Sequence, residues 1–513
     1  MIPPVQNPII FADVPDPDVI RVGDVYYMTS TTMYFNPGCP IMKSTDLIHW
    51  EIIGYVYDIL EDMDAMNLHD GKHDYGKGSW ASCLRYHQGL FYVIFAAYSS
   101  QRTYVYTTTN IESGTWSKHV IEGIYHDMSM LFDDDGRVYM VYGGGVIKVV
   151  EMTSCGTAIK KQGMNKVIIG NADITGRDGL AEGAHIYKIN GFYYIFIICW
   201  PKTGKKRRIQ VCYRSDKIDG MYEGKIILDD DLGFHNAGVA QGGIVDSACG
   251  QWYGLLFQDH GAVGRIPVLV PVLWVDGWPM MGEDGLVPSA FALPAPEDAR
   301  APIYTSDDFD STSLKRQWQW NHNPLNSHWN TTSRPGWLRL ITGIVCKSLT
   351  DARNTLTQRT FGPVCSGSIK IDVRNMLSGD FAGLAVLQDQ YGTVAVKMDN
   401  GQKYFIMTKA VDQTKEPNAQ GKQLYKTGIK DDEIACLTLD ADVVYLKIDC
   451  DFTDGIDEAR FYYRFDEQQW MPIGDVLKMS YRLSHFTGYR FALFNYATEQ
   501  AGGFVDVDWF RLN

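Results

Sequence analysis

Five times in its first half the chain repeats one short pattern, and a repeat of that period decides architecture before any single residue does. The copies are DPDVIRVGDVYYMTS from Asp16, WASCLRYHQGLFYVIF from Trp80, DMSMLFDDDGRVYMVY from Asp127, EGAHIYKINGFYYIFI from Glu182 and QGGIVDSACGQWYGLLF from Gln241. In the last four, a glycine follows the leading residue by nine positions (Gly89, Gly136, Gly191, Gly250) and a tyrosine by twelve (Tyr92, Tyr139, Tyr194, Tyr253). The first copy has a shorter turn, with Gly23 and Tyr27 in the same roles. Each copy reads as a strand, a glycine turn and a β-branched, aromatic strand, which is a β-hairpin. The starts lie 47 to 64 residues apart, about one four-stranded blade, so the pattern predicts a five-bladed β-propeller.

In a propeller the innermost strand of each blade lines the central channel, so equivalent positions of different blades meet at the axis. Three of the five leading positions are acidic: Asp16, Asp127 and Glu182. A lone carboxylate is ordinarily a solvated surface group. Three gathered at one repeat-defined position repel and are partly desolvated, so stability gives little reason to keep them. Glycosidic bond cleavage gives one. It needs a protonated acid for the leaving oxygen and an ionised carboxylate to activate water on the opposite face. A third negative group nearby raises the pKa of the acid. A cage of oxygen ligands for a metal is the other use of such a set.

Several segments carry a family resemblance. The opening NPII…VPDPDVIRVGDVYYM with KSTDLIHW, GSWAS at 78–82, D-x-S-x-L-F-x-D-x-D-G from Asp127 and EGAHIYKINGFYYI from Glu182 resemble glycoside hydrolase family 43, over roughly residues 5–290. The resemblance implies an inverting glycosidase with Asp16 as general base, Glu182 as general acid and Asp127 orienting the acid and tuning its pKa. It also implies a pentose-releasing activity: α-L-arabinofuranosidase acting on terminal residues of arabinoxylan-type oligosaccharides, or β-D-xylosidase, or both. A propeller that binds glycans without cutting them is the non-enzymatic reading, and a binding protein has no need of base, acid and pKa tuner in one ring.

Other residues divide between site and scaffold. Trp80 leads the second copy, so its ring flanks the sugar or packs in the core. Arg265, in H-G-A-V-G-R, matches an arginine that in many relatives contacts substrate hydroxyls. Phe35 either walls the pocket or packs, and Trp200 ends an apolar strand at the mouth. Asp18 reads as a turn or capping residue, and Asp133, Asp134 and Asp135 as a solvated hairpin tip. Many relatives carry a Gly-His pair at the start of the fifth repeat, where the histidine orders a water-ligated calcium on the axis. Here the segment is Ala240-Gln241-Gly242-Gly243, and His260 is the candidate to take that place through water.

Past the repeats, LPAPEDARAP at 293–302 reads as a linker, dividing a propeller over 1–295 from a second domain over 305–513. The second half alternates short apolar strands (GWLRLI, GSIKIDVRNM, FAGLAVLQD, GTVAVKM, KYFIMTK, VVYLKIDCD, ARFYYRF, FVDVDWFRL) with polar turns, which predicts a β-sandwich. It resembles the concanavalin A-like module appended to many family 43 xylosidases, with Asp308 and Asp506 or Asp508 as candidate ligands for a structural calcium. The whole is expected to be all-β.

Net charge is −14, from 61 acidic and 47 basic residues, which argues against nucleic acid or anionic membrane and for a neutral carbohydrate as partner. The ten cysteines are scattered without a C-x-x-C pair, so zinc spacing is absent and buried free thiols are expected. The start, MIPPVQNPII, lacks a signal-peptide pattern. The chain as given reads as cytoplasmic, and a chain with its leader removed reads the same. Oligomeric state is not legible.

Overall fold

A computed structural model describes residues 5–112, 114–175, 180–293, 302–411, 431–466 and 469–513. The expected linker falls almost wholly outside these residues, as does position 295.

The repeats become five four-stranded antiparallel sheets. Blade 1 runs through Asp18–Val22, Val25–Thr29, Gly38–Ser44 and Glu51–Tyr57. Blade 2 holds Ser79–His87, Leu90–Ala97, Arg102–Thr108 and Ser117–Glu122. Blade 3 holds Ser129–Phe132, Val138–Tyr142, Ile147–Met152 and Asn165–Ile169. Blade 4 holds Leu180–Ile189, Phe192–Trp200, Ile209–Ser215 and Glu223–Leu228. Blade 5 holds Ala240–Asp246, Trp252–Asp259, Arg265–Val275 and Trp278–Met281. The first strand of every blade touches the first strand of the next, and blade 5 touches blade 1, closing the ring. Apolar side chains fill the layers between blades: Tyr194, Phe196, Leu256 and Val268 form part of one such layer.

The chain kinks wherever a repeat begins. Asp16 and Asp127 precede their strands with φ of 50° and 46°, a left-handed conformation that Asp tolerates better than most residues. In the other three blades the leading residue is inside the strand, and the ladder slips there: between Ser79 and Ser82, Glu182 and His185, and Ala240 and Gly242. Such bulges re-aim side chains beside functional sites. The repeat thus brings a chain bend, as well as a residue, to the axis five times over.

The second half is a sandwich of two large sheets. One runs Asp432–Leu439, Gln402–Ala410, Tyr391–Asp399, Asp380–Leu387, Arg490–Ala497, Leu356–Arg359, Gln319–Asn321 and ends on Phe35–Asn36 of the propeller. The sandwich core also takes in Ala262, Val263 and Ile266 of blade 5. Buried Arg359 donates from Nε to the carbonyl of Asp13 at 2.8 Å. The two halves therefore share a sheet and a core.

Candidate active site

Asp16 and Arg265 form the pocket's first fixed pair. Arg265 Nη1 donates to Asp16 Oδ1 at 2.7 Å, and Thr31 Oγ1 donates to Oδ2 at 2.7 Å. A guanidinium and a hydroxyl so placed hold the carboxylate in one orientation. Arg265 is itself held between the rings of Phe257 and Phe486, 4.8 and 4.7 Å from their centroids.

Across the pocket Asp127 and Glu182 meet around His126. Nε2 of His126 lies 3.1 Å from Glu182 Oε2 and 3.6 Å from Asp127 Oδ2, and Nδ1 lies 2.8 Å from the hydroxyl of Tyr98. Among the described residues this is the one group of His, Cys, Asp or Glu whose donor atoms sit close enough together, within 4.8 Å, to share an ion or a proton. Asp127 accepts the N–H of Gly183 at 3.0 Å. Gly183 has φ of +73°, and a Cβ there would meet Gln241 Cγ at 2.8 Å, so only glycine lets this N–H reach Asp127. The Glu182 side chain is 35% exposed and that of Asp127 5%, so Glu182 is the member a ligand can touch.

Burial raises Asp127 to about 6, helped by the charges of Glu182 and Asp16 and opposed by His126 and the Gly183 N–H. Burial also pushes Glu182 up, but His126 and the guanidiniums of Arg265 and Arg208 outweigh it and leave Glu182 below its usual range. His126 shows the reverse balance: burial disfavours its cation, while Asp127, Glu182 and Asp16 raise it to about 9. The three groups titrate as one set, and its most basic atom is a histidine nitrogen.

Rings close the pocket. Trp80 packs on Tyr98 (4.8 Å) and on Phe486 (5.1 Å), its indole 5.9 Å from the His126 ring. Phe486 comes from the sandwich. On the far side Trp200 ends its strand with Arg208 over its face at 5.2 Å. Arg208 is paired with Asp259, yet burial and Arg265 bring it down to about 9.

Two family models match the chain, glycosyl hydrolases family 43 over residues 5–279 and the β-xylosidase C-terminal concanavalin A-like domain over 306–513. The chain belongs to glycoside hydrolase family 43. It is 30% identical to a β-xylosidase of Formosa agariphila, covering 98% of this chain and 89% of that protein. It is also 30% identical to a non-reducing end α-L-arabinofuranosidase of Bacteroides ovatus, covering 82% and 81%. A solved bifunctional GH43-CE protein of Bacteroides eggerthii superposes with a TM-score of 0.92 at 46% identity; the match covers all of this chain and 64% of that one. Membership makes the protein a glycoside hydrolase with a carbohydrate substrate.

Within this family-43 frame several sequence expectations need correction. Phe35 is 2% exposed, seated under the Arg490 guanidinium (3.7 Å) in the shared sheet; it offers no face to a sugar. Asp18 is no cap. Fully buried, it accepts from Arg85 Nη1 at 2.7 Å and the Leu84 N–H at 2.7 Å, and lies 3.1 Å from His185 Nδ1. Of the aspartates at the third hairpin tip, Asp133 is buried, bound to Lys188 and the Tyr193 hydroxyl.

The calcium sites do not fit the residues present. His260 stacks on Phe234 at 3.6 Å with Phe11 edge-on at 4.7 Å, and its Nδ1 is buried without a hydrogen-bond partner. Burial lowers it to about 4. Two apolar rings are poor company for a hydrated cation. In the sandwich, Asp506 is taken by Arg339 (2.8 and 2.9 Å) and Arg334, Asp508 by Lys370 at 2.6 Å and Asp308 by Arg511 at 2.5 Å. Cations of the chain already neutralise all three.

Sequence reasoning missed His126, Tyr98, Arg208, Tyr481 and Phe486. The buried hydroxyl of Tyr481 has no hydrogen-bond partner and interacts with the charges of Arg265, Asp13 and Asp16. His126 adjoins a repeat-defined acid and was open to notice. Arg208 lies off the hairpin pattern, and Tyr481 and Phe486 arrive from another domain, so spacing in the first half held no trace of them.

Proposed function

We propose that the protein is an inverting, exo-acting glycosidase that releases terminal α-L-arabinofuranosyl residues from hemicellulose oligosaccharides such as arabinoxylan. One observation carries the glycosidase chemistry: a guanidinium-clamped carboxylate, Asp16, shares a ring-walled pocket with a second carboxylate, Glu182, that is bound to a proton-bearing group. Asp16, held in place by Arg265 and Thr31, takes a proton from the attacking water. Glu182 delivers a proton to the leaving oxygen. Asp127, fixed by Gly183, orients the pair.

In the free pocket the proton rests on His126 Nε2, facing Glu182. It crosses that hydrogen bond to Oε2 and from there reaches the glycosidic oxygen, leaving Nδ1–H bonded to the Tyr98 oxygen. Tyr98 keeps its own proton, since burial raises it to about 12.

A second reading, β-D-xylosidase or both activities together, is supported by the names of the relatives, which include both. Release of p-nitrophenol from the arabinofuranoside and the xyloside by wild type, Asp16→Ala and Glu182→Ala tests the mechanism and ranks the sugars. Losing the acid should harm these good leaving groups less than natural substrates, while losing Asp16 should abolish both. Full activity in Asp16→Ala would refute the mechanism.

A further inference from the structure

A cavity of about 490 Å³ lies at the seam between propeller and sandwich, within the size range of small-ligand pockets. The propeller supplies His73 and Tyr75 from the connection between blades 1 and 2. The sandwich supplies Asp351, Asp389, Ser484 and His485. None of these belongs to the carboxylate cluster.

The lining has the chemistry of a site for a neutral polyol. Tyr75 stacks flat on His485, ring centroids 3.9 Å apart. Burial lowers both His73 and His485 from the usual histidine range, so each is neutral, with one donor and one acceptor nitrogen. Nδ1 of His73 and Oγ of Ser484 are buried without a hydrogen-bond partner, a condition that native interiors rarely leave standing. Asp351 accepts from Ser348 Oγ at 2.9 Å, and its carboxylate has capacity for further donors. An anionic ligand would face two carboxylates. A metal would need converging ligand atoms, and among the described residues only the catalytic cluster provides them.

We propose that this cavity is a second saccharide-binding site, holding a sugar of the substrate other than the one released. Carboxylates, neutral imidazoles and serine hydroxyls are what sugar hydroxyls bond to. The place fits as well. Ser484 and His485 line the cavity, and the next residue, Phe486, walls the catalytic pocket. Gly76 locks this loop to the propeller, since a Cβ there would meet the Ser484 carbonyl at 2.5 Å. The cavity and the catalytic pocket are thus built by consecutive residues of one loop. This rests on the glycosidase reading above.

The test uses Asp16→Asn as a full-length, non-cleaving receptor and calorimetry with an arabinofuranosyl-substituted xylo-oligosaccharide. Adding Thr350→Trp, a lining position where the indole fills the cavity, or His73→Ala, which removes the unpartnered nitrogen, should weaken binding by about tenfold, of the order of one or two lost hydrogen bonds. In the active background the same changes should lower kcat/KM on the oligosaccharide relative to the aryl glycoside, through KM. Circular dichroism checks folding, and His73→Ala carries the test should the tryptophan not be accommodated. Undiminished oligosaccharide affinity in the folded variants overturns the site. Failure of the glycosidase reading looks different: wild type would cleave neither aryl glycoside, and calorimetry would still decide the cavity.

Discussion

Asp16 and Asp18 are two residues apart, both buried, and belong to different worlds. Asp18 lies between Arg85, His185 and a backbone N–H. Burial pushes its carboxyl up, but Arg85 and His185 more than offset that and hold it at about 2. One step towards the pocket, Asp127 is also buried, yet its compensation is a histidine shared with Glu182 and one N–H, and it rises to about 6. The same axis therefore runs a saturated charge network beneath an undersaturated one. The first can gain nothing from a ligand. The second is short of partners, and a substrate can supply them.

The sharpest way to break this comparison is to remove each acid in turn. Asp16→Asn should lower kcat by about 10³-fold or more on both aryl glycosides, at the upper range for general acid–base groups, with a smaller loss of stability than at Asp18, since Arg265 keeps Asp259 at 3.4 Å as a second carboxylate. Asp18→Asn should do the reverse, costing roughly 3–5 kcal/mol because Arg85 is left buried beside a neutral group, while activity per folded molecule survives. Urea unfolding together with initial rates separates the two. The sign with pH follows. Asp18 titrates lower in the folded protein than in the unfolded chain, so its stabilisation is complete above about pH 4 and is lost as pH falls towards 2. Activity loss in Asp18→Asn at full stability would collapse the distinction.

The repeats made the propeller legible because each blade must bury one face against the next, and that requirement recurs in every copy. The three acids were legible for the same reason. Asp18 was not: its role depends on Arg85 and His185, each of which comes from a different blade, and a Pro-Asp-Pro-Asp string looks like a turn. Phe35 stayed open between wall and packing because nothing in the first half shows that Gln319–Asn321 will pair with it. The strands Arg490–Ala497 and Asp432–Leu439 were missed among weaker patterns, although the first is central in its sheet. Pairings across several hundred residues leave no local period to read.

His126 sharpens the comparison by asking where the spare proton lives. The His126–Glu182 pair keeps it below about pH 9, so the acid form is present through neutrality and is lost as pH rises through that value. In His126→Ala the proton falls to the two carboxylates alone, and the alkaline limb of kcat/KM should move down from about 9. At neutral pH the loss should be of order 10- to 100-fold, within the range for a proton-transfer partner. A merely structural histidine would lower activity at every pH without moving the limb. His126→Gln, which keeps a hydrogen bond to Glu182 but not the proton, should shift the limb as Ala does.

The smallest expected effect concerns the ring that the sandwich lends. Phe486 sits at φ 61°, a left-handed conformation costly for a bulky residue, of order 1–3 kcal/mol. Strain at that position is tolerated because the ring lands between Trp80 and Arg265. Phe486→Ala and Phe486→Gly both delete the ring, and both should raise KM a few-fold with kcat nearly kept, as loss of binding shared by ground and transition states does. They should differ in stability, since glycine relieves the backbone and alanine does not, so the glycine variant should melt higher by an amount worth about 1 kcal/mol. Equal KM with unequal Tm separates what the ring does for the sugar from what the loop costs the fold. If the two variants melted alike, the left-handed turn would carry no strain, and the seating of Phe486 would need another cause.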